Sequence, residues 1–150
     1  AIELIVAGHL GKDDFSKYQS IINELDLASR LVLDINYISE EKRELYFKAA
    51  DCLVLPYELI FQSGVLLMSM SYGLPVIASQ IPSFEEVIED GKNGLFFEKG
   101  NSDDLANKLN SLMNNQDLIN EISQNAINNM KENYCWESIA KGYIELIKTL

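Results

Sequence analysis

The sequence predicts an α/β protein: a doubly wound parallel sheet of about five strands, with helices on both faces and a helical C-terminal tail. Three observations predict it. Brief apolar runs bounded by Gly, Pro, Asp or Asn alternate with longer segments of helical period. Apart from Glu3 in the first, the runs are continuously apolar rather than alternating, as in strands buried on both faces. From Ser102 onward only helical patterns remain.

The first strand is read at Ile2 to Ala7, and Asp13 to Leu27 follows as a helix because Phe15, Tyr18, Ile21, Ile22 and Leu25 recur at helical spacing. Leu31 to Leu33 is the second strand. Ser39 then caps a helix through Leu45, Tyr46, Ala49 and Ala50. Cys52 to Leu55 is the third strand, and Ser63 to Tyr72 a helix apolar on nearly all sides, hence buried, with Gly73 as its stop before Pro75. Val76 to Ala78 is the fourth strand. A short helix at Ser83 to Glu89 and the turn Asp90-Gly91-Lys92-Asn93-Gly94 lead to the fifth, Leu95 to Phe97. The tail reads as helices at Ser102 to Met113, Gln116 to Asn133 and Trp136 to Leu150, which must pack across the sheet or onto a neighbouring domain. Its Asn-rich stretch keeps apolar positions such as Leu112, Ile122 and Met130, so it is not low-complexity disorder.

The 150 residues read as a single domain, 1–150. Against 23 Asp+Glu stand 12 Lys+Arg, a formal charge of −11, with no basic cluster. Phosphate-backbone contact with nucleic acid and docking on an anionic bilayer are therefore argued against. Cys52 and Cys135 form no Cys-x-x-Cys pair, as in a reduced intracellular chain, so no metal or disulfide framework is expected and the cytoplasm is the expected compartment. No stretch approaches the ~18 continuous apolar residues of a membrane span. With no initiator methionine and a strand at its very start, the sequence reads as a piece truncated at its N-terminal edge.

In open parallel sheets ligands bind beyond the carboxyl ends of the strands, so the loops there carry the candidates. Gly8-His9-Leu10-Gly11-Lys12-Asp13 has neither the spacing of a Walker A loop nor the third glycine of a dinucleotide fingerprint, and reads as a strand-to-helix turn whose Gly8 and His9 line a cleft. The informative stretch is Pro56-Tyr57-Glu58-Leu59-Ile60-Phe61-Gln62-Ser63-Gly64-Val65. A buried helix beginning at Ser63-Gly64 turns free backbone N–H groups toward the ligand edge, where an anion is favoured. Gly64 allows close approach, and Ser63 either caps the helix or donates to a phosphate oxygen. Glu58 is the one acid in this loop, placed either to accept from sugar hydroxyls or simply to be solvated.

The order Leu4-Ile5-Val6-Ala7-Gly8, Tyr37-Ile38-Ser39-Glu40-Glu41, Ala49-Ala50-Asp51-Cys52-Leu53-Val54-Leu55-Pro56, Ser63-Gly64, Gly73-Leu74-Pro75-Val76-Ile77-Ala78-Ser79, Glu85 through Phe96 and Tyr134-Cys135-Trp136 resembles the C-terminal, donor-binding half of family 4 (group 1) retaining glycosyltransferases of GT-B architecture. The likeness covers essentially the whole chain. It implies a Rossmann-like domain, one half of a GT-B fold, and transfer of a sugar with retention from a nucleotide diphosphate sugar, UDP- or GDP-linked, to a glycan or lipid-linked acceptor. No other cofactor is implied. The acceptor would sit in an N-terminal domain of the same polypeptide, absent from this chain, through which any membrane contact at the inner face would run. By position, Asn36, Tyr37 and Ile38 would hold the nucleobase, Gln62, Ser63, Gly64 and Val65 the diphosphate, and Glu58 and Gln62 the donor-sugar hydroxyls.

Two departures stand out. Many members carry two glutamates eight positions apart, where this chain has Ile60 and Met68, and no catalytic residue is assigned. The Arg and Lys that neutralise the diphosphate in the family have no equivalent, Lys12, Lys48 and Lys92 being the nearest cations, so this piece alone is expected not to turn over. A non-catalytic module of the same fold, a nucleotide-sugar epimerase and, more distantly, a phospho-receiver domain remain alternatives.

Overall fold

A computed structural model describes residues 2–11 and 14–149. The expected helix start at Asp13 and the cation Lys12 lie outside the described residues, as does the terminal Leu150. The chain forms two compact units, 1–46 and 47–150.

In the first unit, β1 (Leu4–Ala7) and β2 (Leu31–Asp34) pair in parallel, Leu4 opposite Leu31 and Ala7 opposite Asp34. The Gly8 N–H extends the ladder to the Asp34 carbonyl at 3.0 Å. The crossover carries α1 (Ser16–Glu24) and a short 3₁₀ turn, Ala28–Arg30. Asp14 accepts from both the Ser16 amide (2.8 Å) and the Ser16 hydroxyl (2.6 Å). This local alternative to helical bonding precedes a helix that starts at Ser16. After β2, Ser39 accepts from the Lys42 amide at 3.3 Å and opens α2 (Glu40–Ala49), the cap read from the sequence.

The second unit holds β3 (Leu53–Leu55), β4 (Val76–Ser79) and β5 (Leu95–Phe97), all parallel in the order β3-β4-β5. The five strands therefore exist as expected and are hydrogen-bonded as a pair and a triple. Alternate residues of this triple feed opposite faces. Leu55, Val76, Ala78 and Phe96 pack with Leu66 and Met70 of α3 (Gly64–Ser71), Phe84 of α4 (Pro82–Glu85), and Ala126 and Met130 of α6 (Gln116–Asn133). Ile77, Leu95 and Phe97 pack with Leu112 of α5 (Ser102–Met113) and Ile122 of α6. Helices on both faces of a parallel sheet are the doubly wound arrangement.

Two helix ends show how local chemistry sets the frame. α3 stops because Gly73 takes φ +69°, letting its amide reach Met70 O and the Leu74 amide reach Ser69 O, both at 3.0 Å, in a Schellman motif. A Cβ there would also meet Ile127 Cδ1 at 2.7 Å, a contact the end of that side chain must move to relieve, so it is the left-handed conformation that demands glycine. α4, read from the sequence as reaching Glu89, ends at Glu85. The buried Asn93 takes the Glu89 amide (2.8 Å) and donates to the Val87 carbonyl (3.1 Å), to which Asn129 of α6 also donates (3.2 Å). Those backbone groups are thereby diverted from a continuing helix. α7 (Trp136–Lys148) follows with no buried residue of its own, and no helix among the described residues is long and apolar enough to cross a membrane.

Candidate functional site

Parallel pairing puts the loops after β3, β4 and β5 at one edge of the second unit, and the loop after β3 runs directly into α3. The Tyr57 ring lies 5.9 Å from that of Phe84, while Glu58 and Gln62 stand exposed in the turn. Ser63 is 8% exposed, and its Oγ accepts from the Leu66 amide at 3.2 Å, so it is the N-cap. The hydroxyl proton is not consumed by that bond, which makes capping and donation to a ligand compatible. The Gly64 and Val65 amides, in the first turn, have no intrahelical acceptor, and none among the described residues takes them. A Cβ built on Gly64 meets nothing within 4 Å, so the backbone at the start of α3 is open to close approach on that side. Between Pro56 and Val65 the chain carries Glu58 and no base. Any anion here is met by amide dipoles worth about half a unit charge rather than by a side-chain cation.

In the first unit, the same parallel logic sets Gly8 and His9 after β1 beside Asn36, Tyr37 and Ile38 after β2. His9 Nδ1 accepts from the Gly11 amide at 2.9 Å, which leaves Nε2 as the outward ring nitrogen. Tyr37 is 82% exposed, an aromatic face presented to solvent, and Ile38 is half-buried. What organises this loop is Asp34, which the sequence reading had not singled out. Its carboxylate, at the end of β2, receives Tyr46 Oη (2.7 Å) and the Lys42 ammonium (2.6 Å) from α2, and the Asn36 amide (3.3 Å) from the loop itself. A carboxylate closing an apolar strand, followed by Lys and Tyr four residues apart on the next helix, was the available signal.

The Lys42 and Tyr46 hydrogen bonds hold the Asp34 carboxyl below its ordinary range, and Asp34 in turn raises Lys42 and Tyr46. A lowered carboxylate stabilises the fold above its unfolded pKa and loses that contribution as pH falls through the lower folded value. Acidification below about pH 4 should therefore weaken the wild type more steeply than Asp34→Asn, as read by urea unfolding across that range. Equal slopes would remove Asp34 from the account. The raised Lys42 has the opposite sign: its share is present below the ordinary lysine pKa and is lost as pH rises through the raised value.

Among the described residues no group of three or more His, Cys, Asp or Glu is arranged to hold a metal. A family model described as glycosyl transferases group 1 matches residues 1–129. An uncharacterized glycosyltransferase of Methanocaldococcus jannaschii is 24% identical over 146 residues, which are 97% of this chain and 37% of that protein. The alpha-monoglucosyldiacylglycerol synthase of Acholeplasma laidlawii is 27% identical over 124 residues, 80% of this chain and 30% of that protein. The crystal structure of Anabaena Alr3699/HepE in complex with UDP shares the fold at a TM-score of 0.86 and 23% identity, covering 99% of this chain and 41% of that one. The chain thus spans less than half the length of these relatives. With the family model matching most of its residues and the same doubly wound fold beneath them, the chain belongs to the group 1 glycosyltransferases.

Proposed function

We propose that this chain is the donor-binding half of a retaining glycosyltransferase that moves a sugar from a nucleotide diphosphate sugar to a glycan or lipid-linked acceptor. The observation that carries the reading is the entrance of α3: two unclaimed amides at Gly64 and Val65, the Ser63 hydroxyl, and open space where a Cβ at Gly64 would stand. That combination suits a diphosphate. The Anabaena protein was crystallised with UDP and with UDP-glucose, which supports a nucleotide sugar as the donor.

In this reading Gln62, Ser63, Gly64 and Val65 meet the diphosphate, and Glu58 and Gln62 take donor-sugar hydroxyls. Asn36, Tyr37 and Ile38 take the nucleobase, and Gly8 and His9 line the first loop. Transfer breaks the bond between the anomeric carbon and the distal phosphate oxygen, forms a bond from the acceptor oxygen to that carbon on the same face, and passes the acceptor hydroxyl's proton to the released diphosphate. Negative charge then grows on the leaving diphosphate, where the α3 amides are already aimed. Amides alone leave much of it unbalanced, so the remaining cations come from an N-terminal domain of the same polypeptide, and residues 1–150 alone do not turn over.

Calorimetric titration of the intact protein with UDP, GDP and ADP tests this. One of the three is expected to bind, with residues 1–150 alone binding the same nucleotide more weakly. Absence of heat from all three at millimolar concentration would overturn the reading.

A further inference from the structure

We propose that Ser79 is a positioning residue for the donor site, acting from behind the β3 loop rather than by touching the substrate. The proposal rests on the diphosphate reading of the α3 entrance. Ser79 ends β4 and is 1% exposed, so its hydroxyl must find a partner inside the protein. It finds two carbonyls of the neighbouring strand's exit: the Ser79 Oγ donates to the Tyr57 carbonyl in a short bond and lies 3.4 Å from the Leu55 carbonyl. A hydroxyl has one proton, and the nearer Tyr57 carbonyl takes it.

The placement has a local cause. Leu55, the last residue of β3, pairs with Ala78, and Pro56 after it has no N–H with which to continue a ladder. The strand must leave the sheet there, with the Tyr57 carbonyl turned inward beside β4. The Ser79 side chain supplies the donor that the missing backbone pairing does not. Phe84 bears on the Tyr57 ring, so one residue is held at its carbonyl by Ser79 and at its ring by α4. Glu58 follows Tyr57 directly, and seven positions separate Tyr57 from Gly64. Where Tyr57 sits thus sets the path by which Glu58, Gln62 and Ser63 reach the α3 entrance.

Ser79→Ala removes the donor and strands a buried carbonyl, while the α3 cap and its free amides stay as they are. The expected results in the intact protein are faster amide exchange confined to residues 58–63, and nucleoside diphosphate affinity and donor KM weakened about tenfold, the scale of one buried hydrogen bond lost. The melting temperature should fall by only a few degrees, as for one buried hydrogen bond lost in a folded chain. Ser79→Thr, which keeps the hydroxyl, should restore affinity. Ser79→Cys, similar in volume but a weak donor, should not. A variant Ser79→Ala that binds nucleotide and donor like a binding-competent wild type overturns the positioning role and leaves the site reading intact. So does loop exchange that does not change. A wild type that binds no nucleoside diphosphate defeats the site reading itself, and this proposal with it.

Discussion

Replacing Gly64 by leucine in the intact protein is expected to weaken nucleoside diphosphate binding at least about a hundredfold while leaving thermal unfolding essentially unchanged. The magnitude follows from what is blocked. In the proposed reading the diphosphate stands against the Gly64 and Val65 amides, and a leucine side chain would fill the open space at Gly64 through which it approaches. Each hydrogen bond to a charged group is worth about 1.5–3 kcal/mol, so losing two exceeds the ~2.7 kcal/mol of a hundredfold change. The unchanged stability is equally specific. Gly64 is not in the left-handed region, and its Cβ would touch nothing within 4 Å, so the folded chain acquires neither strain nor clash. Removing a glycine from a helix's first turn also lowers the entropy of the unfolded chain. Wild-type affinity in Gly64→Leu, at normal stability, would mean that the ligand of this fold sits elsewhere. A non-catalytic module of the same fold would keep its role after the same change.

The largest stability effect is expected from Phe84→Ala, a loss of about 3–5 kcal/mol. Phe84 is 1% exposed and joins β4's loop to the core formed by Leu55, Val76, Phe96 and Met130. Truncation leaves a cavity lined by groups that cannot all move in, and the ring against Tyr57 goes with it. Set against a typical total of about 5–15 kcal/mol, this is a large share, and the melting temperature should fall by roughly 10–20 °C. Phe61→Ala is the control. That ring is 89% exposed, and its removal should change stability by no more than about 0.5 kcal/mol. Equal effects of the two substitutions in thermal melts would contradict the packing described.

Neither phenylalanine could be told from the other by composition, and that contrast marks where the sequence stopped being informative. The sequence by itself determined the features that depend on neighbours within a few positions. α5 and α6 run over Ser102–Met113 and Gln116–Asn133 as read, because Asn101 and Asn115 accept from amides two or three residues ahead. The stop at Gly73 and the cap at Ser63 are local for the same reason. The alternation of strand and helix, which implies the doubly wound class, is a string property too.

The tertiary structure alone decided whatever joins residues distant along the chain. Nothing near Ser79 in sequence announces a bond to Tyr57, 22 residues earlier, and the Lys and Tyr spaced four apart after Asp34 mark candidates for its carboxylate without deciding that both close on it from the next helix. The early end of α4 depends on Asn129, 42 residues beyond the carbonyl it claims. Division of the five strands into a pair and a triple belongs here as well. Short-range preferences are set by backbone sterics and a few neighbouring hydrogen bonds, so they survive in any context. Long-range partners form only when burial makes an unsatisfied polar group or an empty space too costly, and burial belongs to the folded chain as a whole.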